Sequence, residues 1–471
     1  MKTRSELPPP QDTPAQPSKK KPFPLIYIAV GAALVLVAII CLNGIIFIAL
    51  RQTKDDIVPL VQGIMASGAM VTGSAASNQI VYVGNDNNLW LVSPDGKSHQ
   101  SLTDDASASR GYQFPTWSPD GRHIAFIGPE ETGNFALYVT PPNSGNSKIL
   151  YNSPNSAPFY LYWLPNSQGI SFLTQELSGL AMRQVSLFDA DDSRLVGEGS
   201  PFYWSWSPMS DRLFMHVGGA RLFSEQAHLS VIENRADAGR VELKLAPGRF
   251  QAPVWSADGQ HVFYIAENDS GDDAIFKMEM TTLEQIHVAD LDGLGQTFMV
   301  VSPDGQQIAY METSVNQPVP LGIPGLVGVN GQDKRTITRR PVMSMYWSPD
   351  GKKLALLTAG LDNEEPSAKV DGLAAPPEQG VVFRWWVYDV ETEALEPLTS
   401  INPTLEFMQT VPYFDQYHLS LTFWSPDSRY FVATTEVPDT QGEAAVLVLD
   451  TAGQESPRQI GEGTLAIWSW K

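Results

Sequence analysis

The sequence predicts an all-β fold in which a unit of four short strands is repeated many times. Three observations lead to this prediction: a tight-turn motif recurs along most of the chain, a β-prone segment follows each copy, and turn-forming residues are abundant. Glycine and proline number 37 and 36 in a chain that is 43% apolar. Such a composition is typical of many short strands separated by turns.

The turn motif is Trp-Ser-Pro-Asp-Gly, which begins at Trp117 and again at Trp347. Proline fixes φ at the first central position, aspartate suits the second, and glycine adopts the left-handed conformation that completes the reversal. Strand-like segments follow the turns, for example at 123–127 and 353–357. Less regular copies begin at Trp163, Trp206, Trp255, Val301 and Trp424, and an incomplete copy begins at Trp468.

The spacing of these copies predicts the architecture. Counted from position 117, successive copies are 46, 43, 49, 46, 46, 77 and 44 residues apart. A period in the forties with four short strands is typical of the blades of a β-propeller. The longest interval holds one complete blade and two insertions, which we place near 361–379 and 401–416.

The number of copies favours eight four-stranded blades, with seven as the alternative if the Val301 copy or the terminus is irregular. The strands predicted at 80–83 and 89–92 have no inner strand before them, whereas the last copy has no strands after it. We therefore expect the C-terminal strand to pair with the N-terminal hairpin and close the ring, which removes the open sheet edges.

The N-terminal part predicts a membrane anchor. No charged residue lies between Pro22 and Leu50, a length sufficient for a helix that spans about 30 Å of hydrocarbon. Five basic residues precede it, so we expect the N-terminus inside the cytoplasmic membrane and the propeller outside, in the periplasm or extracellular space. A cleaved signal peptide is the alternative, but its apolar region is usually only about 7–15 residues long. The predicted domains are a disordered cytoplasmic tail at 1–22, a transmembrane helix at 23–50, a flexible stalk at 51–78 and the propeller at 79–471.

The charge distribution argues against nucleic acid as a partner. The chain has 31 basic and 52 acidic residues, of which only 6 basic and 2 acidic ones lie within residues 1–51. The remainder therefore has a net charge of −25, which repels nucleic acid and anionic lipid and favours solubility and cationic partners. Cys41 is the single cysteine and lies in the apolar segment, so the outer domain has no internal disulfide.

The turn motif and the Ile-Ala-Phe strand at 124–126 resemble the WD-like repeat of TolB, the periplasmic propeller protein. They are also similar to the N-terminal propellers of the dipeptidyl peptidase IV and prolyl oligopeptidase group. The resemblance covers about residues 79–471 and concerns the fold. TolB-like proteins imply binding to envelope partners, and the peptidase propellers imply a gate beside a catalytic domain. The chain departs from both, because it has the predicted anchor and neither a TolB-type α/β domain nor a catalytic domain.

No catalytic or metal-binding motif accompanies the repeats. The sequence contains no Gly-x-Ser-x-Gly element, no His-Glu-x-x-His or His-x-His spacing and no glycine-rich phosphate loop. We therefore expect no enzyme, no cofactor and no metal site. Calcium at the acidic segments 85–88 and 267–273 is an open alternative, although both segments coincide with predicted hairpin turns.

Aromatic residues and arginines recur just before the predicted innermost strands. In a propeller these loops surround one mouth of the central channel, and such side chains are typical of binding hot spots. The alternative is that they begin the strands and pack between blades. The candidate binding residues are Tyr112, Tyr160, Phe202, Tyr203, Arg249, Phe250, Arg339, Arg340, Tyr413 and Tyr417.

The sequence thus predicts a non-enzymatic binding or scaffolding module, anchored in the cytoplasmic membrane, that recognises a protein, peptide or glycan of the cell envelope. Two alternatives stay open. One is a propeller hydrolase or lyase with its site at the channel mouth, and the other is a ligand sensor that acts through the transmembrane helix.

Overall fold

The computed structural model describes residues 78–471, apart from 178, 190–192, 223, 236–237, 315–319, 362–380 and 441. Within these residues, no helix is both long and apolar enough to cross a membrane. The predicted tail, the predicted transmembrane helix and residues 51–77 of the predicted stalk lie outside the described residues. The same holds for most of the insertion predicted near 361–379.

Short antiparallel strands make up most of the described chain, and each pairs mainly with its neighbours in sequence. The first three strands are β1 (Ile80–Gly84), β2 (Leu89–Val92) and β3 (His99–Ser101). Four sheets of four consecutive strands follow. Their strands are β4 (Gln113–Trp117), β5 (Ile124–Pro129), β6 (Phe135–Thr140) and β7 (Lys148–Asn152); β8 (Pro158–Trp163), β9 (Gly169–Glu176), β10 (Gly179–Ser186) and β11 (Arg194–Glu198); β12 (Phe202–Trp206), β13 (Arg212–Val217), β14 (His228–Glu233) and β15 (Arg240–Glu242); and β16 (Val254–Trp255), β17 (His261–Glu267), β18 (Asp273–Glu279) and β19 (Gln285–Asp290).

The remaining strands belong to two larger sheets. The first contains β20 (Thr297–Val301), β21 (Gln307–Thr313), β22 (Gly322–Gly328), β23 (Arg335–Thr336), β24 (Val342–Trp347), β25 (Lys353–Leu361), β26 (Val381–Asp389) and β27 (Leu395–Ile401). A single residue pair, Gly322 with Val342, joins its two halves. The second combines β28 (Tyr430–Glu436), β29 (Ala444–Asp450) and β30 (Arg458–Trp468) with β1–β3. The all-β prediction is therefore confirmed, and the repeated four-stranded antiparallel sheets are consistent with a propeller.

Strand β30 joins the two ends of the described chain. Its first part pairs with β29 and its last part with β1, where Ile80 lies opposite Trp468 and Val83 opposite Leu465. This confirms the predicted pairing between the C-terminal strand and the N-terminal hairpin. The close approach of these strands requires Gly463, because a Cβ atom there would lie 2.2 Å from the Val83 carbonyl oxygen.

The repeated turn forms as its residues predict. In the first copy the Ser118 hydroxyl donates to Asp120, the Asp120 carboxylate accepts from the Arg122 amide, and Gly121 has a left-handed φ of 71°. Three of the less regular copies have serine at the glycine position, and this serine makes a contact that glycine cannot. The Ser167 hydroxyl accepts from the Asp120 amide at 3.0 Å and so links two neighbouring sheets.

Several tryptophans of the motif join their sheet to the sheet before it. The indole N–H of Trp163 donates to the Thr116 carbonyl at 3.1 Å, and that of Trp347 donates to the Val300 carbonyl at 3.0 Å. Buried indoles contribute both a large apolar area and one directed hydrogen bond, so they fix the sheets relative to one another. Equivalent bonds join Trp255 to Ser205 and Trp424 to Tyr346.

The insertion predicted near 401–416 is a helical segment between β27 and β28. It contains α1 (Leu405–Thr410), a 3-10 turn (Val411–Tyr413) and α2 (Phe414–Tyr417). Thr404 caps α1, because its hydroxyl accepts from the Phe407 amide. We refer to residues 402–423 as the plug.

Candidate functional site

The plug is hydrogen-bonded to the first strands of several sheets. Its Ser420 carbonyl accepts from the Thr116 hydroxyl of β4 at 2.6 Å. The Gln416 side chain accepts from the Trp204 amide of β12 at 3.0 Å and donates to the Trp204 carbonyl at 2.9 Å. It also donates to the Tyr160 hydroxyl of β8 at 2.8 Å, and that hydroxyl donates to the Gln416 carbonyl. Gln416 therefore ties two sheets to the plug at once.

Apolar and polar contacts extend the plug to other sheets. The Phe414 ring stacks on Phe298 of β20 with centroids 5.3 Å apart and meets Tyr346 of β24 edge to face at 6.2 Å. On another side, the Thr404 hydroxyl donates to the Thr464 carbonyl of β30. Because the first strands of so many sheets contact one segment, the plug lies where these strands converge.

A buried carboxyl group lies at the centre of this segment. The Asp415 side chain accepts from the Ala252 amide at 3.1 Å through Oδ2, while Oδ1 is buried without a hydrogen-bond partner among the described residues. Burial raises the pKa of Asp415 to about 8, so the carboxyl is mainly protonated at neutral pH. Burial also lowers the pKa of His418 to about 4, which leaves its ring neutral. The centre of the plug is thus uncharged.

Four predicted binding residues lie in the interior of the protein, and one of them contacts the plug. Tyr160, Phe202, Tyr203 and Phe250 are all buried, and Tyr160 meets Tyr417 of α2 edge to face at 4.8 Å. These contacts agree with the packing alternative that the sequence leaves open for this group.

Two of these rings pack on a histidine that the sequence analysis did not single out. His216 stacks on Phe250 with centroids 4.2 Å apart and lies 6.0 Å from the ring of Tyr203. Its ring nitrogens are within 2.9 Å of the Gln251 and Gly219 carbonyls. Burial lowers the pKa of His216, and the two carbonyl contacts act in the opposite direction.

Tyr112 and Arg249 are engaged at the edges of their own sheets. The buried Tyr112 donates its hydroxyl to Asp105 at 2.6 Å. The Arg249 guanidinium pairs with Asp273 at 2.7 Å and donates to the Leu294 carbonyl. Burial and the Asp105 hydrogen bond raise the pKa of the Tyr112 phenol.

The remaining candidates are closer to solvent. The Arg340 guanidinium lies 4.8 Å from the Trp386 ring centroid, a cation–π contact, whereas Arg339 is exposed. Tyr413, on the plug, is 45% exposed. The structure therefore brings Tyr160 and Tyr417 together but leaves Tyr413 and Arg339 as the accessible members of the predicted set.

The sequence analysis did not identify the exposed apolar residues at this end of the sheets. Leu405 of the plug is 45% exposed and Leu294, just before β20, is 71% exposed. Leu177 and Leu222, which lie between the second and third strands of their sheets, are also exposed. The sequence signal for these residues is a large apolar side chain within a short polar turn. The pattern of aromatic residues before the innermost strands does not include them.

The acidic segment at 267–273 forms a turn. The Asn268 side chain accepts from the Ser270 and Asp272 amides, and Asp273 pairs with Arg249. Within the part of the chain that the structure describes, no group of three or more His, Cys, Asp or Glu side chains is placed to hold a metal ion.

No protein-family model and no curated protein sequence matches the chain. Solved structures do resemble it. The dihydro-heme d1 dehydrogenase NirN, in complex with DHE, aligns with a TM-score of 0.51 and 10% identity over 87% of this chain and 78% of its own. TolB from Acinetobacter baumannii aligns with a TM-score of 0.33 and 16% identity over 54% of this chain and 62% of its own. A prolyl endopeptidase structure aligns with a TM-score of 0.49 and 12% identity over 80% of this chain and 54% of its own.

Of these three comparisons, the one with NirN supports a shared class of fold, and it shows no activity. At 10% identity the likeness to NirN is evidence of shared architecture alone. The chain spans less than two thirds of the TolB and prolyl endopeptidase structures. The repeated four-stranded sheets and their closure through β30 indicate a β-propeller, and the likeness to NirN concerns this architecture alone.

Proposed function

We propose that this chain is a non-enzymatic binding or scaffolding protein, and that the plugged end of its propeller recognises a protein, peptide or glycan partner. The observation that carries the proposal is the plug itself. It fills the place where the first strands converge and presents Leu405 and Tyr413 to solvent. A rigid surface with exposed aromatic and aliphatic groups is suited to binding, because little ordering is needed on association.

Four exposed leucines lie at this end of the sheets, whereas the exposed Phe188 and Met209 lie at the opposite end. In an antiparallel sheet, the loop before the first strand and the loop between the second and third strands are at the same end. Leu294 and the plug occupy the first kind of loop, and Leu177 and Leu222 occupy the second. Contacts between adjacent loops support a continuous surface, since the Arg221 amide donates to the Pro247 carbonyl and Arg249 donates to Leu294. Exposed apolar groups gathered on one surface are typical of interaction sites.

The proposal includes eight blades. Seven strand sets, from β4–β7 to β24–β27 together with the set built from the end of β30 and β1–β3, have four strands each. The eighth set consists of Trp424, which bridges to Phe431, followed by β28, β29 and the start of β30. Strand β30 then serves two blades, which is the closure that the orphan strands at the two ends predict.

Binding at the plugged end predicts that exposed plug residues are needed for partner capture. The test variant combines Leu405→Ala, Tyr413→Ala and Arg339→Ala in the full-length chain. A hot-spot side chain typically contributes about 2 kcal/mol or more, so we expect capture from envelope extract to fall at least tenfold. The matched control, Met209→Ala, Phe188→Ala and Arg122→Ala, changes exposed residues at the opposite ends of the strands and should capture normally.

If the two triple variants have equal thermal stability and capture the partner equally well, the plugged end is not the binding surface. The extract also distinguishes partner classes. Protease treatment abolishes capture of a protein or peptide, and periodate treatment abolishes capture of a glycan.

The proposal also places the propeller outside the cytoplasmic membrane, held by the apolar segment at 23–50. It rests on the uncharged span from Pro22 to Leu50 and on the basic residues before it. A reporter enzyme that is active only outside the cytoplasm should be active when fused after Lys471. Activity of a cytoplasm-only reporter at the same position would reverse the orientation.

A further inference from the structure

A cleft of about 840 Å³ lies between the start of β30 and the β1–β3 strands. Its lining residues come from these strands and their turns, and none belongs to the plug. Two aromatic residues, Tyr82 and Trp90, line it together with Asp86, His99 and Glu462. The cleft is therefore a concave site that shares no lining residue with the plug.

The aromatic lining of the cleft is fixed by its neighbours. The Trp90 indole N–H donates to both carboxylate oxygens of Asp86, at 3.1 and 3.2 Å. The ring packs so closely on the backbone that a Cβ atom at Gly84 would lie 2.8 Å from it. The Tyr82 hydroxyl lies 3.5 Å from Nδ1 of His99. These contacts hold the two rings in place before any ligand arrives.

The electrostatic character of the cleft is negative. Asp86 and Glu462 are both exposed, and neither makes an ion pair with another described residue. Burial raises the pKa of the Tyr82 phenol to about 12, and both carboxylates add to the effect, which indicates that their field extends over the ring. No cation of the described chain lines the cleft.

We propose that this cleft binds a cationic side chain, arginine or lysine, of a partner polypeptide. Aromatic rings attract cations through their negative faces, and nearby carboxylates add a direct ion pair. A net charge of −25 outside residues 1–51 draws such a partner toward the domain as a whole. The rings and carboxylates of the cleft make the binding specific, because they recognise one cationic side chain at a defined position.

The proposal is tested with an acetylated tri-arginine amide peptide and the same peptide built from citrulline, which is neutral and nearly isosteric. Titration calorimetry of the full-length chain should detect the arginine peptide and not the citrulline peptide. Trp90→Leu should weaken binding roughly 5- to 30-fold, the range for a partly desolvated cation–π contact. Glu462→Gln should weaken it roughly 2- to 5-fold, as for an exposed ion pair.

The matched control is Glu284→Gln, which removes one exposed carboxylate from a turn on another sheet. If Glu284→Gln and Glu462→Gln weaken binding equally, the attraction is due to net charge alone and the proposal fails. Equal binding of the citrulline peptide would also overturn it, since the cleft would then recognise a neutral group. Glu462 is exposed, so its variant decides the question even if Trp90→Leu is unstable. If the plugged end proves not to bind a partner, the peptide titration still tests the cleft, because the two sites share no residue.

Discussion

Removal of residues 464–471 is expected to unfold the propeller or to cause its aggregation. The deletion takes away the part of β30 that pairs with β1, including Trp468, which is fully buried opposite Ile80. Loss of a buried tryptophan alone typically costs about 3–5 kcal/mol, and whole domains are stable by only about 5–15 kcal/mol. The exposed edge of β1 would also be free to pair with other molecules.

Size-exclusion chromatography and thermal melting of the full-length and shortened chains measure this effect. Gly463→Val is a second variant that leaves the chain length unchanged. It should act in the same direction, because even a Cβ atom at this position meets the Val83 carbonyl oxygen. A monomeric deletion variant with an unchanged melting temperature would show that the pairing of β30 with β1 does not hold the ring closed.

The parts of the fold that the sequence predicted are those determined by local chemistry. The turn at Trp117 follows from proline, aspartate and glycine in consecutive positions, and its hydrogen bonds connect residues only two to five positions apart. The closure was predictable for a different reason. The first and last repeats of the chain each lack strands, and the two can complete each other. Strand β30 does so by pairing with β1.

The plug could be located from the sequence but not interpreted. The long interval before Trp424 indicated an insertion, yet the contacts of Gln416 with Tyr160 and Trp204 join residues 256 and 212 positions apart. No periodic pattern carries such information. The aromatic residues predicted for the channel mouth do lie near the ends of first strands, but the plug covers several of them.

The sequence analysis also could not predict which charged residues form ion pairs. Arg249 is a predicted binding residue because it lies just before a predicted innermost strand. Its guanidinium pairs with Asp273 from a strand of the same sheet. An arginine just before an innermost strand can therefore form an ion pair within the fold, and only the tertiary structure shows that pair.

The buried carboxyl of the plug predicts a pH-dependent stability that Asp415→Asn should remove. The pKa of Asp415 is about 8 in the folded protein and 3.8 in its ordinary, exposed state, so the folded protein holds a proton that the unfolded chain releases between these values. Stability from this group is fully present below about pH 4 and falls as the pH rises, by about 1.4 kcal/mol per pH unit. His418 acts in the opposite sense, since its pKa falls from 6.5 to about 4 on folding and its contribution is lost in acid.

Asparagine keeps the shape of the side chain and the acceptor for the Ala252 amide, but it has no proton to lose. We therefore expect Asp415→Asn to gain stability over the natural protein progressively from pH 5 to pH 8, as measured by the thermal midpoint of the full-length chain. Asp439→Asn, which removes an exposed carboxylate in the loop between β28 and β29, is the matched control and should show no such trend. A constant difference between Asp415→Asn and the natural protein across this range would mean that Asp415 is ionised in the folded state. The plug would then contain a buried carboxylate that is stabilised by hydrogen bonds such as the one from the Ala252 amide.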